Sequence, residues 1–135
     1  MADLMELEVA TPERELVRQE VDEVQLPGKD GYLGILPGHA PMVGQLGTGM
    51  MTYGVGGRKH CLAVQGGFVE VQPDRIRVLA NAAEQAEEID LNRARAELKA
   101  AEERVMHPDP AGDPQAPLDA MAVAQARVDA AEKCG

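Results

Sequence analysis

The chain has 135 residues and a formal net charge of −10, with 44% hydrophobic and 2% aromatic residues. That length holds one domain, or one small domain with an appendage. The acidic balance excludes the clustered Lys and Arg that nucleic acid or an anionic lipid surface requires.

With no Trp and a single Phe, the core must come from Val, Leu, Ile, Met and Ala. The opening residues Met1 to Glu6 are acidic and carry no signal-peptide apolar stretch, so no leader is expected. No apolar run approaches the roughly 18 residues that span a bilayer. Any membrane association is therefore expected to run through a protein partner. The two cysteines lie far apart without metal spacing. Cys61 reads as a buried strand thiol and Cys134 as a frayed terminal one, which suits a reducing compartment.

Residues 5 to 81 read as β. Met5, Leu7 and Val9 alternate with Glu6, Glu8 and Ala10, the period of a half-buried strand. Thr11-Pro12-Glu13 turns the chain. Leu16 and Val17 follow, then Val21, Val24 and Leu26. The stretch from Leu26 to Pro41 holds Pro27-Gly28 and Pro37-Gly38, which bracket a short strand of Tyr32, Leu33, Ile35 and Leu36. Gly34 is expected to admit a close neighbour, and Pro37 fits an edge or a strand end, not a central ladder. The whole reads as a rigid corner that offers a surface to a partner.

Beyond the corner, Met42-Val43 and Leu46 precede Gly47-Thr48-Gly49, and Met50 to Tyr53 resume. Gly54 to Gly57 signals a hairpin before Lys59 to Val64. Gln65-Gly66-Gly67 reads as a turn, followed by Phe68, Val69 and Val71. Gln72-Pro73-Asp74 turns again before Ile76, Val78 and Ala80. Short strands at this spacing predict a sandwich or flattened barrel over residues 1–86.

The period then changes. From Ala82 to Val105 the chain is rich in Ala, Glu, Arg and Leu, and Leu91, Ala94, Leu98, Ala101 and Val105 form a helical stripe. Asp90 is placed to cap it, and Arg93–Glu97 and Lys99–Glu103 are i,i+4 pairs on the wet side. Four prolines between His107 and Pro117 predict a stiff, extended link. Leu118 to Lys133 is a second helix with the stripe Leu118, Met121, Ala124, Val128 and Ala131. Residues 87–135 are thus expected as an antiparallel helical hairpin on a mostly β protein. Its alanine-rich stripes bury little area, so it is expected to dock marginally and to take more than one position; a permanently packed pair is the alternative. Arg93, Arg95, Lys99, Arg104 and Arg127 could meet an acidic partner or form a solvated face.

No catalytic constellation appears. Serine is absent, and His39, His60 and His107 have no ligand spacing. Gly28-Lys29-Asp30 lacks the rest of a phosphate-binding loop. His60 and Cys61, as strand neighbours, point to opposite faces. The one ligand-like feature is Ile89-Asp90-Leu91-Asn92-Arg93-Ala94. There Asp90 could accept from an amine or hydroxyl and Arg93 could meet a phosphate, or the two could simply start a helix.

Gly31-Tyr32-Leu33-Gly34-Ile35-Leu36-Pro37-Gly38-His39-Ala40-Pro41, then Gln65-Gly66-Gly67-Phe68-Val69-Glu70-Val71, then Ile89-Asp90 to Arg93-Ala94, resemble the epsilon subunit of the bacterial F-type ATP synthase. The resemblance runs nearly end to end, in the family's order of sandwich then hairpin. It implies a non-catalytic subunit of the central stalk, bound to the gamma subunit and resting on the ring of c subunits. Such a subunit turns with the rotor on the cytoplasmic face of the inner membrane and couples proton flow to ATP synthesis. Gly31, Tyr32, Leu33, Gly34, Gly38 and His39 would face the c ring. The hairpin would be able to extend along gamma toward the catalytic alpha/beta hexamer and restrain ATP hydrolysis. ATP is implied as a regulatory ligand of the folded hairpin through Glu84, Ile89, Asp90, Arg93, Ala94 and Arg127. Ala100 stands where the family pattern implies a further arginine, and the second helix keeps only Arg127. The alternative is a free-standing nucleotide-sensing module that binds ATP at the hairpin.

Overall fold

The computed structural model describes residues 3–135; Met1 and Ala2 of the acidic start lie outside the described residues. Seven strands form one hydrogen-bonded sheet that bends over on itself. They are β1 (Met5–Ala10), β2 (Glu15–Val21), β3 (Glu23–Gly28), β4 (Gly31–Ile35), β5 (Met42–Val55), β6 (Arg58–Gln72) and β7 (Arg75–Gln85). Their order is β2-β1-β7-β6-β5-β3-β4. All neighbours are antiparallel except β1 and β7, which run parallel with Leu7 opposite Ile76. The inward residues of every strand converge on one core, with Leu7, Val24, Leu26, Met51, Val64, Val69 and Ile76 among its members. The predicted alternation of β1 holds, with Met5, Leu7 and Val9 all buried.

Two expected interruptions are not breaks. Gly47-Thr48-Gly49 lies inside β5, and Gln65-Gly66-Gly67 lies inside β6, so β5 and β6 are single strands of 14 and 15 residues. Gly66 and Gly67 take φ of +58° and +115° and bend β6 without ending it. The pairing of β6 with β7 passes through the bend, from Gln65 opposite Ala82 to Gly67 opposite Ala80. Such a kink lets long strands serve both layers of a sandwich. Likewise β7 runs on to Gln85 through residues whose composition reads as helix. Cross-strand pairing of Ala82 to Gln85 with β6 overrides their helix propensity there.

A single 3-10 turn (Ala86–Glu88) leads to α1 (Leu91–Met106), and α2 (Gln115–Cys134) follows. The proline-rich link is not extended. Asp109 and Asp113 accept backbone N–H groups of Ala111 and Gln115 at 2.9 Å, and Gly112 N–H donates to Asp109 C=O, which folds the link into tight turns. Pro117 sits in the first turn of α2, where a missing N–H costs little, so the helix starts three residues before Leu118.

The helices do not share the sheet equally. α2 lies directly on β5 and β6, and α1 packs on α2. The face of β5 and β6 turned away from the sandwich core is therefore covered where the helices sit. That is why Met51 to Gly54 and Cys61 to Val64 are buried on both faces, not in alternation. A second apolar cluster fills this layer: Cys61 and Ala63 of β6, Ala86, Ile89, Ala94, and Ala126, Val128, Ala130 and Ala131 of α2. Ala126 and Ala130 lie outside the predicted α2 stripe because that helix buries two faces, while Leu118 of the stripe is exposed.

Arg14 ties the start of β2 to the turn before α1, its Nη2 donating to Glu88 at 2.8 Å. The Arg14 guanidinium holds the Glu88 carboxyl below its ordinary value near 4.5. A lowered folded-state pKa stabilises above the unfolded pKa and is lost as pH falls through the folded one. Because both groups are half exposed, the contribution should be under about 1 kcal/mol. Urea midpoints of wild type and Glu88→Gln should therefore differ slightly at neutral pH and coincide below the carboxylate range.

Candidate functional site

Two regions carry the residues singled out from the sequence: the Gly–Pro corner on and after β4, and the helix layer on β5 and β6. β4 is an edge strand paired only with β3, with Leu33 opposite Leu26 and Gly34 opposite Gln25. Ile35 is buried and anchors it, while Tyr32 and Leu36 are each 62% exposed. Tyr32 crosses β5, its hydroxyl donating to Met50 C=O at 3.0 Å. Gly49 makes room for it: a Cβ there would stand 3.1 Å from the Tyr32 oxygen and 2.9 Å from Pro27 Cβ. The corner closes at Gly38, at φ +87°, whose N–H donates to Pro73 C=O at 2.8 Å, and at His39, whose Nδ1 lies 2.7 Å from Ala40 C=O. So His39 is held by backbone. Gly34 has no such role within the chain. Nothing approaches within 4 Å of where its Cβ would be, so the close neighbour expected from the sequence is not intramolecular.

Val43, 73% exposed at the start of β5, adds to the apolar surface with Leu36 of the corner; neither is among the residues expected to face the c ring. Their exposure depends on where the sheet bends, which no local pattern records. A second exposed apolar pair, Phe68 and Leu79, sits side by side across β6 and β7 next to Ala10 and Pro12.

The docked helices gather a charged network. Asp90 caps α1, its Oδ1 accepting Arg93 N–H at 3.1 Å. The Arg93 guanidinium turns away from Asp90 and donates to Glu97 at 3.0 Å. Glu97, read from the sequence only as a wet-side partner, also accepts from Arg127 of α2 at 2.7 Å. Arg127 donates its Nε to Glu84 of β7 at 2.8 Å as well. One guanidinium thus joins α2 to α1 and to the sheet. Its side chain is only 14% exposed, so it is no free cation for a partner surface. Burial works against its charge, and Glu84 with Glu97 outweighs that, holding its pKa above the ordinary arginine value. Ile89 and Ala94 are buried beneath the network. The other predicted helix pair did not form as expected, since Glu103 faces His107 at 3.8 Å.

The six residues Glu84, Ile89, Asp90, Arg93, Ala94 and Arg127 therefore do converge, but as a clasp. Both arginines are occupied by carboxylates, and Glu84, Asp90 and Glu97 outnumber them. As arranged, the Arg127 guanidinium is not free to meet a phosphate, whereas Arg93 is 75% exposed in a single pair with Glu97.

The cysteines also depart from expectation. Cys61 and Cys134 are joined in a disulfide, their Cα atoms 5.7 Å apart. Docking of α2 carries its last residue onto β6, so the terminus is neither frayed nor a free thiol. The predicted opposition of neighbours holds: Cys61 faces the helices, and His60 stacks on Tyr53 at 4.9 Å.

A bent, largely antiparallel sandwich with an exposed Gly–Pro corner, followed by two helices clasped to its flank, defines the class of β-sandwich chains with an appended helical hairpin. The family model for the ATP synthase Delta/Epsilon chain beta-sandwich domain matches residues 4–86. The ATP synthase epsilon chain of Solibacter usitatus is 54% identical over 133 residues, covering 98% of this chain and 99% of that one. That of Koribacter versatilis is 46% identical over 110 residues, covering 82% and 78%. A chain in the Euglena gracilis mitochondrial ATP synthase structure, described as OSCP/F1/c-ring in rotational state 1, superposes with a TM-score of 0.81. It is 24% identical, with 98% of this chain and 82% of that chain covered, and so supports the fold alone. This chain belongs to the ATP synthase epsilon chain family. Among its described residues no helix is long and apolar enough to cross a membrane.

Proposed function

We propose that this epsilon chain is a non-catalytic rotor subunit that couples proton translocation to ATP synthesis, with its hairpin acting as a brake on ATP hydrolysis. The observation that carries this reading is the presence of two distinct surfaces on one sandwich: an exposed apolar corner, and a helical pair held on β5 and β6 by small side chains and one guanidinium. The corner of Gly31, Tyr32, Leu33, Gly34, Gly38 and His39, flanked by Leu36 and Val43, meets the loops of the c ring. The Phe68–Leu79 patch suits the gamma subunit, because exposed paired apolar side chains beside a polar rim mark a protein interface. The subunit then sits on the cytoplasmic face of the bacterial inner membrane through the complex. Released from the sheet, the hairpin would extend along gamma toward the alpha/beta hexamer.

The small residues of the second cluster support a releasable hairpin. Four of the five buried α2 residues are alanines, each burying far less apolar area than Leu or Val. ATP as a regulatory ligand is the second reading. It is favoured by the convergence of the six residues and opposed by their present pairing, so it requires Arg93 and Arg127 to exchange carboxylates. Titration of the full chain with ATP should then give saturable binding that Arg127→Met abolishes; a flat titration removes the ligand.

The deciding experiment uses a synthase complex stripped of this subunit. Full chain and a chain ending at Glu87 are added back, and ATP hydrolysis and ATP-driven proton pumping are recorded. Both should restore pumping, and only the full chain should slow hydrolysis. Val43→Asp with Leu36→Asp should lose roughly ten-fold or more in coupling, as charge enters an apolar contact. Failure of either chain to bind would end the rotor reading.

A further inference from the structure

The hairpin is tied to the sandwich by contacts of very unequal strength. Its buried residues are small, and its clasp depends on the single guanidinium of Arg127. Against these stands one covalent bond, from Cys134 at the end of α2 to Cys61 in β6, across 73 residues of sequence. Cys61 is 2% exposed and faces the helix layer. Cys134 is half-buried at the rim of that layer, with its Sγ 3.7 Å from the Lys59 carbonyl. The bond therefore joins the last turn of the movable element to the most firmly paired strand beneath it. A tie there forbids α2 to leave the sheet, whereas the same bond within either element would leave docking unaffected.

We propose that Cys61 and Cys134 form a thiol–disulfide latch that fixes the hairpin in its docked position when oxidised and frees it when reduced. The reductant is a dithiol, of small-molecule or protein class. One of its thiolates attacks Cys134 Sγ, the accessible sulfur, forming a mixed disulfide. Cys61 leaves as thiolate and takes a proton. The second thiolate of the dithiol then attacks its own sulfur in the mixed disulfide, and Cys134 leaves and is protonated. Two electrons and two protons pass to the protein, and the dithiol becomes a disulfide. The released Cys134 thiol finds the Lys59 carbonyl as acceptor. Oxidation by a disulfide of the same class runs the steps in reverse. On the reducing side of a membrane a bond of this kind is a switch and not a permanent staple.

For its consequence on catalysis the latch rests on the brake reading; for docking itself it does not. The test is hydrogen exchange of the full chain, oxidised with diamide or reduced with dithiothreitol, for wild type and Cys134→Ser. Peptides covering 118–134 should exchange about ten-fold more slowly or better in oxidised wild type than in the other three samples. Peptides of β5 and β6 facing the sandwich core should stay protected throughout, which reports that Cys134→Ser folds. Equal exchange of 118–134 in oxidised and reduced wild type would overturn the latch. So would full alkylation of both cysteines by iodoacetamide after diamide treatment. If the chain ending at Glu87 slows hydrolysis as well as the full chain does, the brake reading falls, while the exchange result still decides the latch.

Discussion

Gly67→Ala should lower the stability of the sandwich by about 3 kcal/mol, which moves its thermal midpoint by on the order of 10 °C. Gly67 has φ of +115°, a region that side chains of L-residues rarely enter. A Cβ there would run into the Leu79 carbonyl oxygen and stand 2.8 Å from Ala80 Cα. Both obstacles are backbone of β7, which cannot swing aside as a side chain could. Relief requires β6 and β7 to part at the Gly67–Ala80 pair, inside a region whose inward neighbours Val64, Val69 and Val78 are core residues. Gly34→Ala is the matched control. It lies in an edge strand without positive φ, and its Cβ would meet nothing within 4 Å, so its stability should stay within about 0.5 kcal/mol of wild type. Thermal melts of the full chain followed by circular dichroism compare the three. Coincident melts for Gly67→Ala and wild type would show that the bend at Gly66–Gly67 is not needed.

The same glycines show where local pattern stops being informative. Gln65-Gly66-Gly67 carries the signature of a turn, and the positive φ it implies is present. Whether such a pair ends a strand or bends it depends on whether a partner strand continues past it, and β7 does. The alternation of β1, the α1 stripe at Ala94 and Ala101, and the Asp90 cap were legible because each is decided within a few residues. The α2 stripe was half legible. One face, with Ala124 and Val128, shows the 3.6 period, but Ala126 and Ala130 on the other are buried only because α2 lies between α1 and the sheet. At the corner, the turn residues and the edge strand could be read, whereas the packing of Tyr32 over Gly49 joins positions 17 apart through strand register. The clasp and the disulfide were illegible for the same reason. Glu84 and Arg127 are 43 residues apart, and Cys61 and Cys134 are 73 apart. Only the placement of α2 on β5 and β6 makes either pair neighbours.

Ala130→Leu should undock the hairpin while leaving the sandwich folded. Ala130 is fully buried on α2 within the second apolar cluster, which is separate from the sandwich core. Three added heavy atoms in a filled layer cost about 1–3 kcal/mol when the neighbours cannot yield. Those neighbours sit on paired strands on one side and on a second helix on the other. The docked state has little in reserve, since its cluster is built mostly from alanines and the desolvation of its one bridging guanidinium offsets much of the Coulombic gain. The added volume is therefore relieved by lifting α2 away, not by opening the sheet. Ala96→Leu, on an exposed position of α1, adds the same atoms to solvent and should change nothing. Under dithiothreitol, Ala130→Leu should raise proteolytic cleavage between α1 and α2 several-fold and leave the main thermal transition of residues 5–85 unchanged. Under diamide the Cys61–Cys134 bond should hold the overpacked helix in place, and the cleavage rate should return toward that of wild type. If Ala130→Leu lowers the main transition as strongly as a sandwich-core substitution, then hairpin and sandwich melt as one unit, and independent movement of the helices is excluded.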